Sequence, residues 1–339
     1  MRDSSTRSFN TSPMGRGGYD RNRRRRQRNI LTVAIILVMA AIVVLSIMLI
    51  MEVTDCGKKP DDGIVNTDSK FADITFEDKL HASADLHKGD LILVNASFPY
   101  VFAETPTLSD VYANRGPYGL AGSKGYLLEA GTLAALNLMT TDFKAATGES
   151  YLYIRNSDCY RDAAKQDSLH TDAPEKYGVS GTSEHHTGTC LDFKVYKDGV
   201  FYDIDSATLP GVENYKWIYD NAYKYGFILR FPAAKSSITG VDNEPYHFRQ
   251  VGYAHAYYMH TYNLCLEEYL DFIRDNHGKS SPLYVNGDNG TSYMIYYVAA
   301  STDSLTSIPV PAEGSEGIKY TVSGDNKAGF IVTVEKKNG

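Results

Sequence analysis

Two short stretches concentrate residues able to do chemistry. "SEHHTGTCLDF", Ser183 to Phe193, holds two adjacent histidines, a glycine turn and an aspartate. "NEPYHFR" sets Glu244 and His247 on either side of Pro245 and Tyr246. Imidazole and carboxylate are the donors of a hydrolytic zinc centre. Such a centre needs three protein ligands, an open fourth position for water, and a carboxylate to take that water's proton. One histidine of the first stretch and Asp192 supply two ligands if the chain turns at Gly188 and returns as a strand with Asp192 facing the site. The third comes from the second stretch, where Pro245 interrupts regular strand bonding and lets Glu244 and His247 converge despite their odd spacing. Either stretch alone is a weak signal, because a histidine near an acid is more often a surface or capping pair. On an extended segment adjacent side chains point to opposite faces, so only one of His185 and His186 can share an ion with Asp192. The other is a supporting or groove residue, or an exposed bystander.

The elements that must position these groups can be read from pattern. "DLILVNASF" (Asp90 to Phe98) is a strand candidate, and "YLLEAGTLAALNLMTTDFKAATG" has helical spacing with a stop at Gly148. "YLYIRN" reads as a strand, "RDAAKQDSLH" as a helix and "DFKVY" as a strand. "VENYKWIYDNAYKYG" is a helix ending at Gly226, followed by the strand "FILRF" and the helices "GYAHAYYMHTYN" and "LEEYLDFIRDN". Helices and short strands interleave without regular β-α alternation or a glycine fingerprint for nucleotides, so the expected class is α+β. Residues 79–278 form this expected catalytic domain. After about Lys279 come short β-rich runs split by Gly, Asn and Pro, expected as a small β-rich C-terminal region over 279–339, either an all-β appendage or an added sheet. His170, His255, His260 and His277 fit no ligand spacing and read as helix or loop histidines.

With 339 residues, 43% of them hydrophobic, the chain can bury a sizeable core. Its net charge of −7 is asymmetric. The segment before Asn29 carries nine arginines against Asp3 and Asp20, a balance of +7, which leaves −14 on the remainder. From Ile30 to Met51 the chain runs without a charge, long enough to cross the roughly 30 Å hydrocarbon layer at about 1.5 Å per residue. The run exceeds a signal-peptide core, and no small-x-small cleavage site follows it. Residues 30–51 are therefore expected to be a transmembrane helix. "RNRRRRQR" before it keeps 1–29 cytoplasmic as a basic tail, a topological rather than nucleic-acid-binding role. Residues 52–78 are expected as an extracellular stalk. The cysteines, Cys56, Cys159, Cys190 and Cys265, allow three full disulfide pairings, with free buried thiols an equal reading.

Taken in order, "SEHHTGTCLDF" and "EPYHFRQVG" resemble the S-x-H-x-x-G-x-x-x-D and E-P-W-H motifs of the VanY-type D-alanyl-D-alanine carboxypeptidases, zinc enzymes that trim peptidoglycan stem peptides. "CYRDAAKQ" is similar to that family's Y-R-S-x-x-x-Q, and the likeness runs from about Asp90 to Asn276. It implies a Hedgehog/DD-peptidase-like fold and one zinc ion per chain. It further implies His185, Asp192 and His247 as ligands, Glu244 as general base, and Arg161, Gln166 and Ser183 on the substrate side. Tyr246 stands where tryptophan is usual and shapes the pocket for the terminal methyl. Cys190 stands where alanine is common, and Asp162 where the motif has serine.

The chemistry follows from the groups themselves. A zinc ion with one carboxylate and two neutral imidazoles stays positive and lowers the pKa of bound water towards about 7. Glu244 suits the role of proton acceptor and later donor. The planar fork of Arg161 matches a free terminal carboxylate, a surface salt bridge being its plainer alternative. The expected activity is a membrane-anchored zinc D-Ala-D-Ala carboxypeptidase facing the wall of a Gram-positive bacterium, with no nucleic-acid partner. An L,D-carboxypeptidase and a non-catalytic wall-binding protein on the same fold are the alternatives.

Overall fold

The computed structural model describes residues 68–103, 106–122 and 124–338. The expected cytoplasmic tail, the transmembrane helix at 30–51 and most of the stalk lie outside the described residues. Among the described residues no helix is long and apolar enough to cross a membrane.

The class is α+β, as expected. One core forms where helix α1 (Ala130–Thr147) packs on short strands. Glu129 caps its N-terminus by accepting from the Thr132 amide at 2.8 Å, and Gly148 ends it in the left-handed region at φ 74°. Leu133, Leu136, Met139 and Phe143 recur at three- and four-residue steps and share one buried face. They meet Ile154, Leu191, Phe193, Val195 and Phe248 in a single cluster. Leu191 and Phe248 thereby turn the apolar face of the site's sheet inward, leaving its opposite face for polar groups.

That sheet has three antiparallel strands in the order β6 (Cys190–Asp192), β10 (Glu244–Gln250), β9 (Phe227–Phe231). Its register sets His247 opposite Asp192 and Arg249 opposite Cys190. Its strands interleave in sequence with an antiparallel pair, β2 (Leu108–Asp110) and β4 (Leu127–Glu129), and a mixed four-stranded sheet, β3 (Gly119–Leu120), β5 (Leu152–Ile154), β7 (Lys194–Lys197) and β8 (Val200–Tyr202). The expected helices appear as α2 (Ala163–Asp172), α3 (Val212–Asn221), α4 (Tyr253–Tyr262) and α5 (Leu266–Asn276). After α3 a 3-10 turn continues to Gly226, as the glycine stop implied.

Two expectations change. "DLILVNASF" is not a strand. Leu91 to Val94 are buried, but their amides meet no partner strand in register: the Leu91 amide donates to Ser323 Oγ at 3.0 Å and the Leu93 amide to the Asp325 carbonyl at 3.1 Å. An apolar run is thus fully buried with a side-chain hydroxyl and a turn carbonyl in place of a strand ladder. The stalk is the second, because its final part is folded: Phe71 is buried, and β1 (Phe76–Ala82) pairs antiparallel with β13 (Leu305–Pro311). The β-rich C-terminal region takes the second of its two expected forms, an added sheet. Its sheet, β11 (Leu283–Asn286), β12 (Thr291–Ala299), β15 (Gly329–Lys337) and β14 (Ile318–Gly324), does not stand apart. Val285, Tyr293, Ile295 and Ile331 share a core with Tyr258, Leu266, Tyr269 and Ile273 of α4 and α5. Among the described residues Cys159, Cys190 and Cys265 are free and buried.

Candidate metal centre and cleft

The first stretch folds as a turn rather than an extended segment. Ser183 caps a 3-10 turn, Glu184–Thr187, with Oγ accepting from the His185 amide at 3.4 Å. Gly188 closes the turn in the left-handed region at φ 73°, its N–H donating to the His185 carbonyl. The chain then reverses into β6, which carries Asp192 to the site. On β10, Glu244 pairs with Phe231 and Phe248 with Leu229, so the register against β9 slips between them. Pro245 lies in this slip and has no N–H to give the ladder. Glu244 and His247 consequently reach the same side, with Glu244 Oε2 3.9 Å from His247 Nδ1.

His185 and His247 meet with ring centroids 5.0 Å apart. His185 Nε2 stands 3.5 Å from Asp192 Oδ1, and His247 Nδ1 stands 2.7 Å from the same oxygen. Outer contacts set each tautomer. The carbonyl of Cys159 lies 2.8 Å from His185 Nδ1 and can only accept, so Nδ1 carries the proton and Nε2 keeps its lone pair for the site. His247 Nε2 faces the carboxylate of Glu184 at 3.4 Å, which leaves Nδ1 as its free donor atom. Two lone pairs and a carboxylate oxygen thus converge in a buried space. Three electron-pair donors without a shared cation repel one another, so this donor set fits a divalent metal.

The electrostatics express the same demand. Burial and Arg161 oppose protonation of His185, but Cys190 and Asp192 outweigh them and raise its pKa to about 9. Burial likewise opposes a charged His247, and contacts with Cys190 and Asp192 push it well above the ordinary imidazole value. Burial would raise Asp192, yet the two imidazoles hold it well below the usual carboxylate range. The Cys190 thiol, penalised by burial, is brought down to about 7 by His185 and His247. Glu244, only partly exposed, is raised by burial, with His247 opposing.

These groups open on a cleft of about 490 Å3 lined also by Arg161, Gln166, Ser183 and Tyr246. Arg161 is buried, not a surface salt bridge. Its Nη2 is 3.5 Å from Asp192 Oδ2, its Nη1 donates to Gln166 Oε1 at 3.3 Å, and its guanidinium sits 5.3 Å from the Tyr177 ring centroid. Gln166 in turn donates to the Gly178 carbonyl at 2.7 Å. The ring of Tyr246 carries the Lys194 ammonium 4.2 Å from its centroid. His186 is no exposed bystander: it is fully buried, with Nδ1 2.7 Å from the Arg161 carbonyl and Nε2 accepting from the Gly181 amide at 3.0 Å. The 3-10 turn, rather than strand alternation, directs it away from Asp192.

Sequence reasoning assigned no role to the charges behind His247. Glu184 is buried, accepting from Arg230 Nε at 2.8 Å and lying 3.4 Å from Arg249 Nη1. Arg230 also grips Glu267 through Nη1 and Nη2 at 2.8 and 2.6 Å. Burial opposes ionisation of Glu184, but the two guanidinium groups hold it below the usual carboxylate range. The available signal is an arginine between aromatic or apolar residues and the end of each strand, Arg230 in "FILRF" and Arg249 in "HFRQ". A buried guanidinium demands an acidic partner.

Comparison with known proteins agrees with this geometry. A family model, VanY, D-alanyl-D-alanine carboxypeptidase, matches residues 128–253. A D-alanyl-D-alanine carboxypeptidase of Enterococcus faecium is 32% identical over 266 residues, covering 76% of this chain and 79% of that protein. A D-alanyl-D-alanine carboxypeptidase of Enterococcus faecalis is 44% identical over 93 residues, covering 27% of this chain and 31% of that one. The crystal structure of the vancomycin resistance D,D-dipeptidase VanXYg, in complex with a D-Ala-D-Ala phosphinate analog, superposes with a TM-score of 0.64 at 24% identity, over 77% of this chain and 100% of that one, a likeness of fold. With the relationship to the Enterococcus faecium enzyme extending over most of both proteins, the chain belongs to the VanY family of D-alanyl-D-alanine carboxypeptidases.

Proposed function

We propose that this protein removes the C-terminal D-alanine from peptidoglycan stem peptides, using one zinc ion per chain held by His185, Asp192 and His247. The observation that carries the reading is the convergence of two tautomer-locked imidazoles on one carboxylate oxygen beside Glu244 and Arg161. Zinc bound there supplies Lewis acidity, acidifying water and polarising the scissile carbonyl. Glu244 accepts the proton of the attacking water and passes it to the departing amine of D-alanine. Burial raises the pKa of Glu244, which suits a carboxylate that must both take and return a proton. Arg161 offers its fork to the free carboxylate of the terminal residue, and that charge pairing selects chain ends over internal bonds. Gln166 steadies Arg161, Ser183 holds the turn that presents His185, and Tyr246 walls the pocket for the terminal methyl.

The body works outside the cell, held by the single span at 30–51 with its N-terminus in the cytoplasm. The charge-free run and the arginine block before it support this placement. The relatives from Enterococcus fit a Gram-positive wall as the setting.

Incubation of the full-length protein with defined tetra- and pentapeptide stems tests the activity. The expected result is one D-alanine released from stems ending in D-Ala-D-Ala, in step with about one zinc per chain. Release from the tetrapeptide alone, or no release by zinc-loaded protein, would overturn it.

A further inference from the structure

Behind the floor of the cleft a second donor set shares the same two imidazoles. His185, Cys190 and His247 each present a ligand atom, and these atoms all lie within 4.8 Å of one another. All three residues are buried, Cys190 completely. His185, Asp192, Glu244 and His247 line the cleft, whereas Cys190 does not reach it.

Strand geometry accounts for the arrangement. Cys190 and Asp192 stand two residues apart on β6, so both side chains leave the same face, separated by about 6.6 Å along the strand. Their partners on β10 are Arg249 and His247. An ion held by both imidazoles therefore has a choice of third donor, the Asp192 oxygen towards the cleft or the Cys190 sulfur in the interior. Zinc bonds of about 2.3 Å to sulfur and 2.0–2.1 Å to nitrogen set donors roughly 3.3–3.6 Å apart. A larger soft ion sets them wider, nearer the 4.8 Å within which these three atoms already lie.

We propose that His185, Cys190 and His247 form an inner site for a thiophilic divalent ion of the Cd2+ class, closed to the water of the cleft. Sulfur is a soft donor and carboxylate oxygen a hard one, so the two sets discriminate between ions by the third ligand. Because both use the same imidazoles, filling one empties the other. A soft ion in the inner position stands away from Glu244 and Arg161 and holds the enzyme inactive. Coordination requires the thiolate and the neutral imidazoles, so the protons these groups hold leave to solvent as the ion binds. The proposal rests on the reading that the outer set holds zinc.

Titration of full-length, chelator-stripped protein with Cd2+ tests it. Thiolate-to-metal charge-transfer absorption should grow in the ultraviolet over the first equivalent. It should be lost in Cys190→Ala, which still takes up zinc, and kept in Cys159→Ala. Preference for Cd2+ over Zn2+ should fall at least about tenfold in Cys190→Ala. Cd2+ uptake by the unaltered protein without that absorption, or its full persistence in Cys190→Ala, would overturn the inner site and leave the hydrolytic reading standing. A chain that takes up neither ion would overturn both.

Discussion

Asp192 and His247 are register partners on adjacent antiparallel strands, with Asp192 Oδ1 2.7 Å from His247 Nδ1. A ladder pair is the most rigid way to hold two side chains together, since the backbone bonds that align the strands also align the donors. His185 reaches the same oxygen from a 3-10 turn, while Glu244 stands at the slipped end of β10. The proposed ligands are thus set by a ladder pair and a turn. Glu244, the proposed proton acceptor, sits where the ladder is irregular and the side chain is partly exposed.

That division predicts a clean separation in Glu244→Gln. The substitution keeps shape and removes the proton acceptor, so kcat should fall by about 10²–10⁴. Zinc content and thermal stability should stay near those of the unaltered protein, because Glu244 is a partly exposed group outside the ladder pair. Zinc analysis beside D-alanine release checks both halves, and retained turnover would remove Glu244 from its role.

Glu184→Ala should behave in the opposite way. It strips the shared partner from Arg230, Arg249 and His247, leaving buried charge uncompensated at a cost of about 3–5 kcal/mol. His247 also loses the contact that orients Nε2, so zinc affinity should fall about 10–100-fold. Glu184→Gln should recover part of the stability but less of the affinity, because an amide cannot match the charge of the carboxylate. Chemical denaturation and competition with a zinc chelator measure the two effects separately. Equal zinc affinity in all three proteins would show that His247 needs no partner there.

The site was more legible than the packing around it, for a physical reason. Ligand chemistry restricts residue type, so His185, Asp192, Glu244 and His247 stand out in "SEHHTGTCLDF" and "NEPYHFR". Helix α1 was equally visible, because its apolar spacing and Gly148 are local signals. By contrast, Leu91 to Val94 carry a strand's composition but are satisfied by Ser323 and Asp325, more than 200 residues away in the chain. No local pattern reports so distant a partner. The same holds for Glu184, whose meaning depends on Arg230 and Glu267 meeting it in the interior.

Gly188 is a position where backbone freedom governs the centre. At φ +73°, an added Cβ would strain the backbone, lie 2.7 Å from Leu108 Cδ2 and come within 3.3 Å of the Glu129 amide nitrogen. Gly188→Ala should therefore cost about 1–3 kcal/mol. The turn also joins His185 to β6, so displacing it moves one ligand against the others and weakens zinc retention. Thermal melting with and without zinc checks this: the gap between the two midpoints should narrow in the variant, and an unchanged gap would mean the turn relaxes elsewhere.

His255 should make stability depend on acid independently of catalysis. It is buried in α4, with Nδ1 2.6 Å from Tyr269 Oη and Nε2 2.9 Å from Thr333 Oγ1, and so ties α5 to β15. Burial alone lowers its pKa from 6.5 to about 3. The unfolded chain therefore binds a proton between about pH 6.5 and 3 that the folded chain refuses, and stability falls as pH drops through that window. At pH 4.5 the loss relative to neutral pH is on the order of 2–3 kcal/mol. His255→Asn removes the titrating group. It should be less stable at pH 7 by about 1–3 kcal/mol through lost hydrogen bonding, yet show a shallower decline on acidification. Urea unfolding of both proteins between pH 7 and 4.5 gives the comparison. Parallel stability curves would mean that His255 accepts its proton in the folded state, and that the tie between α5 and β15 survives an imidazolium.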